Sequence, residues 1–206
     1  MIRHIETRLG SPYKYVIDEQ NPHLGGNIVD GDPCCVTPKL WDWLIKEFNV
    51  KSVLDVGCGE GQSLDYFVSR GCVGIGIEGL KENLNKSKNN IILQDLTAGP
   101  VIISNIDLVW CCELVEHIPE WFVPNLVKTL TNGRIIAMTH ADIGQAGHHH
   151  VNCKPSSYWI KIMLDFGYDY LEDKTQLARG MADTLVCEFI SHFRRSGLIF
   201  KSRELG

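Results

Sequence analysis

Apolar and polar positions alternate along the chain with two different periods. Short apolar runs end in glycine or a carboxylate: Val53–Val56, Val73–Ile77 before Glu78, Ile91–Leu93 before Asp95, Ile106–Cys112 and Gly133–Thr139. Runs of this length, apolar at consecutive positions, predict strands buried on both faces. Between them apolar residues recur at helical spacing. Thr37-Pro38 opens one such stretch, with Leu40, Trp41, Leu44, Ile45 and Phe48 on one stripe. Leu64, Phe67 and Val68 mark a second helix that stops at Gly71. A polar helix is predicted over Leu80–Lys88, and Ile118, Phe122, Leu126 and Leu130 predict another with a buried stripe. Pro155–Phe166 reads as a helix opened by proline. Leu177, Met181, Leu185, Phe189 and Phe193 predict one long helix between Thr175 and Arg195, and Gly197–Phe200 a closing strand.

Strands alternating with helices imply an α/β fold with a parallel sheet, right-handed crossovers and helices on both faces. At 206 residues the expectation is a single domain over 1–206, with its core in 37–206. Residues 1–36 have the least regular pattern. His23-Leu24-Gly25-Gly26-Asn27 and Asp30-Gly31-Asp32-Pro33 are turn chemistry, read as a lid over a ligand or as a plain surface loop.

Charge and cysteine content narrow the function classes. A net charge of −5 argues against general affinity for duplex nucleic acid. No apolar run approaches the ~18 residues that cross a membrane, and the first residues do not read as a secretory signal. The eight cysteines form two adjacent pairs, Cys34-Cys35 and Cys111-Cys112, and four singles. That spacing suits neither a disulfide framework nor a zinc knuckle, so buried thiols in a reducing, cytoplasmic setting are expected.

The chain's chemistry concentrates at strand ends. Gly57-Cys58-Gly59-Glu60-Gly61 follows the first of the buried strands and precedes a helix, a turn whose N–H groups cradle a nucleotide-like ligand. Glu78 ends the next strand, where two carboxylate oxygens suit a ribose diol. Asp95 ends the third, where a carboxylate accepts from an exocyclic amine. With these residues the chain resembles the class I S-adenosylmethionine-dependent methyltransferases, chiefly over Lys51–Thr139. The resemblance implies a Rossmann-like three-layer sandwich on a seven-stranded, mostly parallel sheet whose last strand is antiparallel. It also implies S-adenosylmethionine as cofactor, held by Asp55, Gly57, Cys58, Gly59, Gly61, Glu78, Gln94, Asp95, Leu96 and Cys112. A dinucleotide oxidoreductase is the rival for the turn, but its third glycine would fall one residue later, and it leaves Asp95 without a role.

Glu113-Leu114-Val115-Glu116-His117 follows the fourth buried strand, beside the expected methyl group. On a helix, Glu113, Glu116 and His117 share a face and form either a metal site or an acid–base site. After the fifth strand come His140 and then His148-His149-His150. Two carboxylates with two imidazoles suit Mg²⁺ or Mn²⁺, with Fe²⁺ or Zn²⁺ as alternatives. The block resembles the metal-dependent O-methyltransferases of the ubiquinone pathway and those that act on the terminal 2′-hydroxyl of small RNAs. That resemblance implies Glu113, Glu116, His117 and one of His148–His150 as ligands. His149 is favoured because it takes the opposite face from His148 and His150 in an extended segment. Glu116, His117 and His149 are then the catalytic candidates. The expected activity is O-methylation of a small-molecule hydroxyl with help from a divalent metal. An RNA 2′-O-methyltransferase is one alternative, and a non-catalytic S-adenosylmethionine-binding regulatory module is another.

Overall fold

The computed structural model describes residues 3–7, 13–184 and 190–205. The N-terminal region is more regular than its composition suggests. Strands β1 (Arg3–Thr7) and β2 (Lys14–Asp18) pair antiparallel as a two-stranded sheet. The following loop is stitched to β2 by Val16 N–H donating to Asn27 O at 3.0 Å and by a bridge between Tyr15 and Ile28. A turn of 3₁₀-helix at Pro33–Cys35 leads into α1 (Pro38–Glu47). Thr37 sits at the cap of α1, but its hydroxyl makes no capping bond and is buried with no partner among the described residues.

Alternation then runs as expected. β3 (Ser52–Val56), α2 (Gln62–Ser69), β4 (Val73–Glu78) and β5 (Asn90–Leu93) build one half of the main sheet. β6 (Ile106–Cys111), α3 (Val123–Leu130) and β7 (Gly133–Met138) build the other. α4 (Ser156–Asp165), β8 (Tyr168–Tyr170), α5 (Glu172–Met181), α6 (His192–Ser196) and β9 (Leu198–Ser202) complete the chain. The seven strands lie in the order β5-β4-β3-β6-β7-β9-β8. β5 to β7 are parallel; β9 runs antiparallel to both β7 and β8.

Side-chain alternation along each strand divides the core into two layers. Leu54, Val56, Val109, Cys111, Ile136 and Met138 face α3 and α4, which supply Leu126, Leu130, Trp159 and Met163. Val53, Leu108, Trp110, Ile135 and Ala137 face the other helices, from which Trp41, Phe67, Ala178 and Phe193 pack. Trp110 lies edge-on to Trp41 and stacks on Phe193, the latter pair 5.4 Å apart at the ring centroids. A three-layer sandwich results because every central strand is apolar on both faces.

Three expected helices take other forms. Over 80–88 there is only a 3₁₀ segment, Lys81–Asn85; its polar sequence carries no stripe for the core to hold. Pro119 and Pro124 break the stretch from Ile118, so a 3₁₀ turn (Glu120–Phe122) precedes α3. The long helix between 175 and 195 is two helices. α5 ends at Met181 with Leu177 half exposed, and Ser191 starts α6 by accepting from Arg194 N–H at 3.1 Å while bonding to Ala182 O. Leu185 and Phe189 lie outside the described residues.

Candidate active site

Strand order reverses between β3 and β6: the chain builds outward in one direction through β4 and β5, and in the other through β7. A ligand crevice opens where the carboxyl ends of two such strands diverge. A cavity of about 410 Å³ occupies this place, lined from the ends of β3, β4, β5 and β6 and from the entrance segment before α1.

The glycine turn forms the near wall. Gly57 has φ +74°, and a Cβ there would come within 3.0 Å of both Leu114 methyl carbons. Only glycine both adopts this conformation freely and lets the turn after β3 touch the block after β6. Gly59, φ +55°, faces open space and donates its N–H to Glu78 Oε2 at 2.8 Å; Leu80 N–H donates to Oε1 at 2.8 Å. Burial holds the Glu78 carboxyl up to about 7, against these two bonds. Asp55, buried beneath the turn, accepts from the Ser63 hydroxyl, and burial likewise raises it to about 7. It anchors the start of α2 instead of facing the cavity mouth.

At the end of β5, Asp95 Oδ1 accepts from Thr97 N–H at 2.8 Å and from the Thr97 hydroxyl at 2.7 Å. Its Oδ2 lies 3.1 Å from His23 Nε2 of the entrance segment. Burial pushes this carboxyl up, but the bonds from Thr97 and His23 outweigh it and leave it below the usual range. Gln94 donates to Asp95 O and Gly99 O, so its amide shapes the loop. Leu96 is a core residue bordering the cavity. Cys58 is a buried thiol beside Gly59 O.

The block after β6 departs from the expected helix. Only Val115–His117 form a 3₁₀ turn, and Glu113 precedes it with φ +54°. Glu113 is thereby held by other partners, Oε1 accepting from the Thr139 hydroxyl at 3.0 Å and Oε2 lying 3.1 Å from His192 Nδ1, while its carboxyl stays close to that of Glu116. Glu116 is fully buried, with both carboxylate oxygens unpartnered. Burial first and the nearby Glu113 second hold its pKa well above the usual carboxylate range. Nδ1 of His117 is also buried and unpartnered; burial and the surrounding histidines push the ring down to about 3, so it is neutral.

The histidine that reaches this pair is His150, not the favoured His149. One ligand-type atom each from Glu116, His117 and His150 lie within 4.8 Å of one another, and the His117 and His150 rings meet edge to face at 5.0 Å. His149 has φ +47°, which breaks the alternation of an extended segment, and its ring neighbours His23 and His148 instead. His148 packs on Gly26 and bonds to Pro22 O at 2.9 Å, clamping the entrance segment. His140 is buried against Ser156 and lies outside this group. Val151 N–H and Asn152 N–H both donate to Glu116 O at 3.0 Å, which pins the histidine segment to the block.

His23, Asp32, Cys35 and His192 also face the cavity. Asp32 Oδ2 lies 2.9 Å from His192 Nε2, and Cys35 Sγ lies 3.7 Å from Cys112 Sγ. His23 and Asp32 belong to the turn-rich segments read from the sequence as a lid or a loop, whereas no motif announces Cys35 or His192; Ser191 as a cap is the one local signal near His192.

Residues 54–138 match the family model described as a methyltransferase domain. A chloroplastic tocopherol O-methyltransferase of Arabidopsis thaliana is 32% identical over 109 residues, covering 46% of this chain and 31% of that protein. The match thus spans about a third of the relative's length. Among solved structures, the methyltransferase domain of bacterial CtHen1 is 17% identical with a TM-score of 0.58, covering 80% of this chain and 97% of that one. Magnesium protoporphyrin IX methyltransferase of Synechocystis PCC 6803, with S-adenosylmethionine bound, is 16% identical with a TM-score of 0.52, covering 78% and 74%. The plantazolicin methyltransferase BpumL, holding S-adenosylhomocysteine, is 15% identical with a TM-score of 0.55, covering 81% and 83%. These likenesses concern the fold, and the matched segment runs from β3 to the end of β7. Residues 54–138 thus carry the methyltransferase-domain pattern, in a chain whose fold is the Rossmann-like one of these neighbours.

Proposed function

We propose that the protein transfers the methyl group of S-adenosylmethionine to a hydroxyl of a small-molecule acceptor, with a divalent cation held by Glu116, His117 and His150. One observation carries the cation: a fully buried carboxylate with two unpartnered oxygens beside a buried imidazole with an unpartnered Nδ1. Leaving such groups unsatisfied is costly unless a ligand completes them. The donor chemistry fits, since Nδ1 of His150 bonds to Gln145 O at 3.1 Å and leaves Nε2 as its lone-pair nitrogen. A cation bound there supplies Lewis acidity that lowers the pKa of an acceptor hydroxyl.

On this reading the Glu78 carboxylate takes the ribose hydroxyls, Asp95 the adenine amine, and the Gly57–Gly61 turn the carboxyl-end backbone of the cofactor. Leu96 and Cys112 complete its walls, while Asp55 and Gln94 hold the loops that carry these contacts. The bound sulfonium supplies a strong electrophile, so the chain's task is alignment and an activated nucleophile. Neutral His117 brings no charge of its own toward the sulfonium. Glu113, fixed by Thr139 and His192, stands between the cofactor wall and Glu116.

A small molecule is favoured over RNA because three basic residues of the C-terminal part, otherwise available to phosphate, are engaged locally. Lys154 pairs with Glu120, Lys161 with Asp165 and Arg194 with Asp183. The test is transfer of labelled methyl to pooled phenols, sugars and short RNAs, with and without chelator. Label on a small molecule, lost in chelator, is expected. Label on RNA alone replaces the acceptor; full transfer in excess chelator removes the cation.

A further inference from the structure

A second group of ligand-type atoms lines the same cavity, on the other side of Glu113 from Glu116. One such atom each from Asp32, Cys35 and His192 lie within 4.8 Å of one another, and Cys112 Sγ adjoins Cys35 Sγ at 3.7 Å. That sulfur spacing is far beyond the ~2.05 Å of a disulfide. It matches the edge of a tetrahedron around zinc, which is about 3.7 Å when Zn–S is about 2.3 Å. The second nitrogen of His192 is 3.1 Å from Glu113 Oε2, and Glu113 is itself held by Thr139. A carboxylate on the far nitrogen of an imidazole is the outer support that ligating histidines have.

We propose that Asp32, Cys35 and His192 form a zinc-type cation site distinct from the Glu116 group, with Cys112, whose sulfur adjoins Cys35, closing in as the fourth donor on binding. Its two thiols select a soft ion, whereas Glu116, His117 and His150 offer only oxygen and nitrogen. Binding forms bonds to the thiolate sulfurs, the Asp32 carboxylate and His192 Nε2, and releases to solvent the proton of each ligating thiol and the one His192 Nε2 shares with Asp32, while Nδ1–H keeps its bond to Glu113. The donors come from the turn before α1, the end of β6 and the start of α6. The ion therefore fastens the entrance segment to the sheet edge and closes that side of the cavity, independently of any acceptor.

The experiment titrates Co²⁺ into the reduced, chelator-treated full chain and follows the thiolate-to-cobalt charge-transfer absorption. The band is expected in the wild type and in Glu116→Gln, and lost in Cys35→Ser and His192→Ala. Glu113→Gln is expected to weaken binding at least tenfold. A second measurement uses wild type alone, in case a variant does not fold. Zn²⁺ should protect Cys35 and Cys112, but not Cys153, from alkylation read by mass spectrometry. Absence of the band in the wild type, its survival in folded Cys35→Ser, or equal alkylation with and without Zn²⁺ overturns the site.

Discussion

Nε2 of His23 occupies Oδ2 of Asp95 at 3.1 Å, so the entrance segment already holds the carboxylate assigned to the adenine amine. Cofactor binding then exchanges one partner for another. Asp95→Ala is expected to weaken S-adenosylmethionine binding by about 1.5–3 kcal/mol, the range for a hydrogen bond to a charged group. His23→Ala removes the competitor and is expected to tighten it. Calorimetric titration of both variants checks the pair: unchanged affinity in Asp95→Ala ends the adenine assignment.

The Glu116 group makes a sharper claim about which histidine matters. Glu116→Gln and His150→Ala are expected to lower kcat at least ~100-fold, in line with the loss of a metal or its bound nucleophile, while cofactor affinity stays within a factor of ~2 of wild type. His149→Ala should leave kcat nearly unchanged, because its ring neighbours His23 and His148 and not His117. Equal losses in His149→Ala and His150→Ala would contradict the geometry.

Glu78 links cofactor binding to pH-dependent stability. The unfolded chain releases its proton near 4.5 and the folded protein near 7. Between these values the folded state holds the extra proton, so this group makes stability fall as pH rises, by about 1.4 kcal/mol per unit. Asp55 acts in the same sense, while His117, lowered from 6.5 to about 3, makes stability fall as pH drops below 6.5. Because these terms oppose, the measurable quantity is a difference. The Tm of Glu78→Gln minus that of wild type should rise between pH 5 and pH 7.5 without cofactor. A flat difference would show that the carboxylate is not held high.

Away from the site, the buried Tyr168 hydroxyl donates to Gly133 O at 2.6 Å and lies 3.0 Å from Thr131 O. It ties β8 to the start of β7, the edge where the antiparallel strands join. Tyr168→Phe is expected to cost about 1–2 kcal/mol, which for this size is roughly 2–8 °C in Tm, with methyl transfer unaltered at 25 °C.

The sheet was legible because its strands are apolar on both faces, and the cofactor edge because Gly57, Glu78 and Asp95 each terminate one. Ionisable side chains at strand ends have nothing to do in a core. The chemical block was readable as composition but not as geometry. A helix at 113–117 follows from spacing alone, yet Glu113 takes a left-handed conformation and binds Thr139 and His192 in place of lining up with Glu116 and His117. Extended alternation likewise singled out His149, and one positive φ at that residue handed the position to His150. The Asp32–His192 and His23–Asp95 contacts join loops far apart in the chain, where no local period records a partner. Polar segments such as 80–88 remain the least readable, since a helix without an apolar stripe is decided by packing elsewhere.

Val151 and Asn152 both hand their N–H groups to Glu116 O, so two backbone hydrogen bonds close the loop that brings His150 to Glu116. The entropy of that closure is spent during folding. Metal removal is then expected to leave the fold standing, unlike a small domain whose ligands assemble only around their ion. An ion entering a ready-made set repays no ordering cost and can exchange without unravelling the protein. Occupancy of the centre would therefore follow the surrounding concentration of free cation, making the rate of methylation a readout of metal supply.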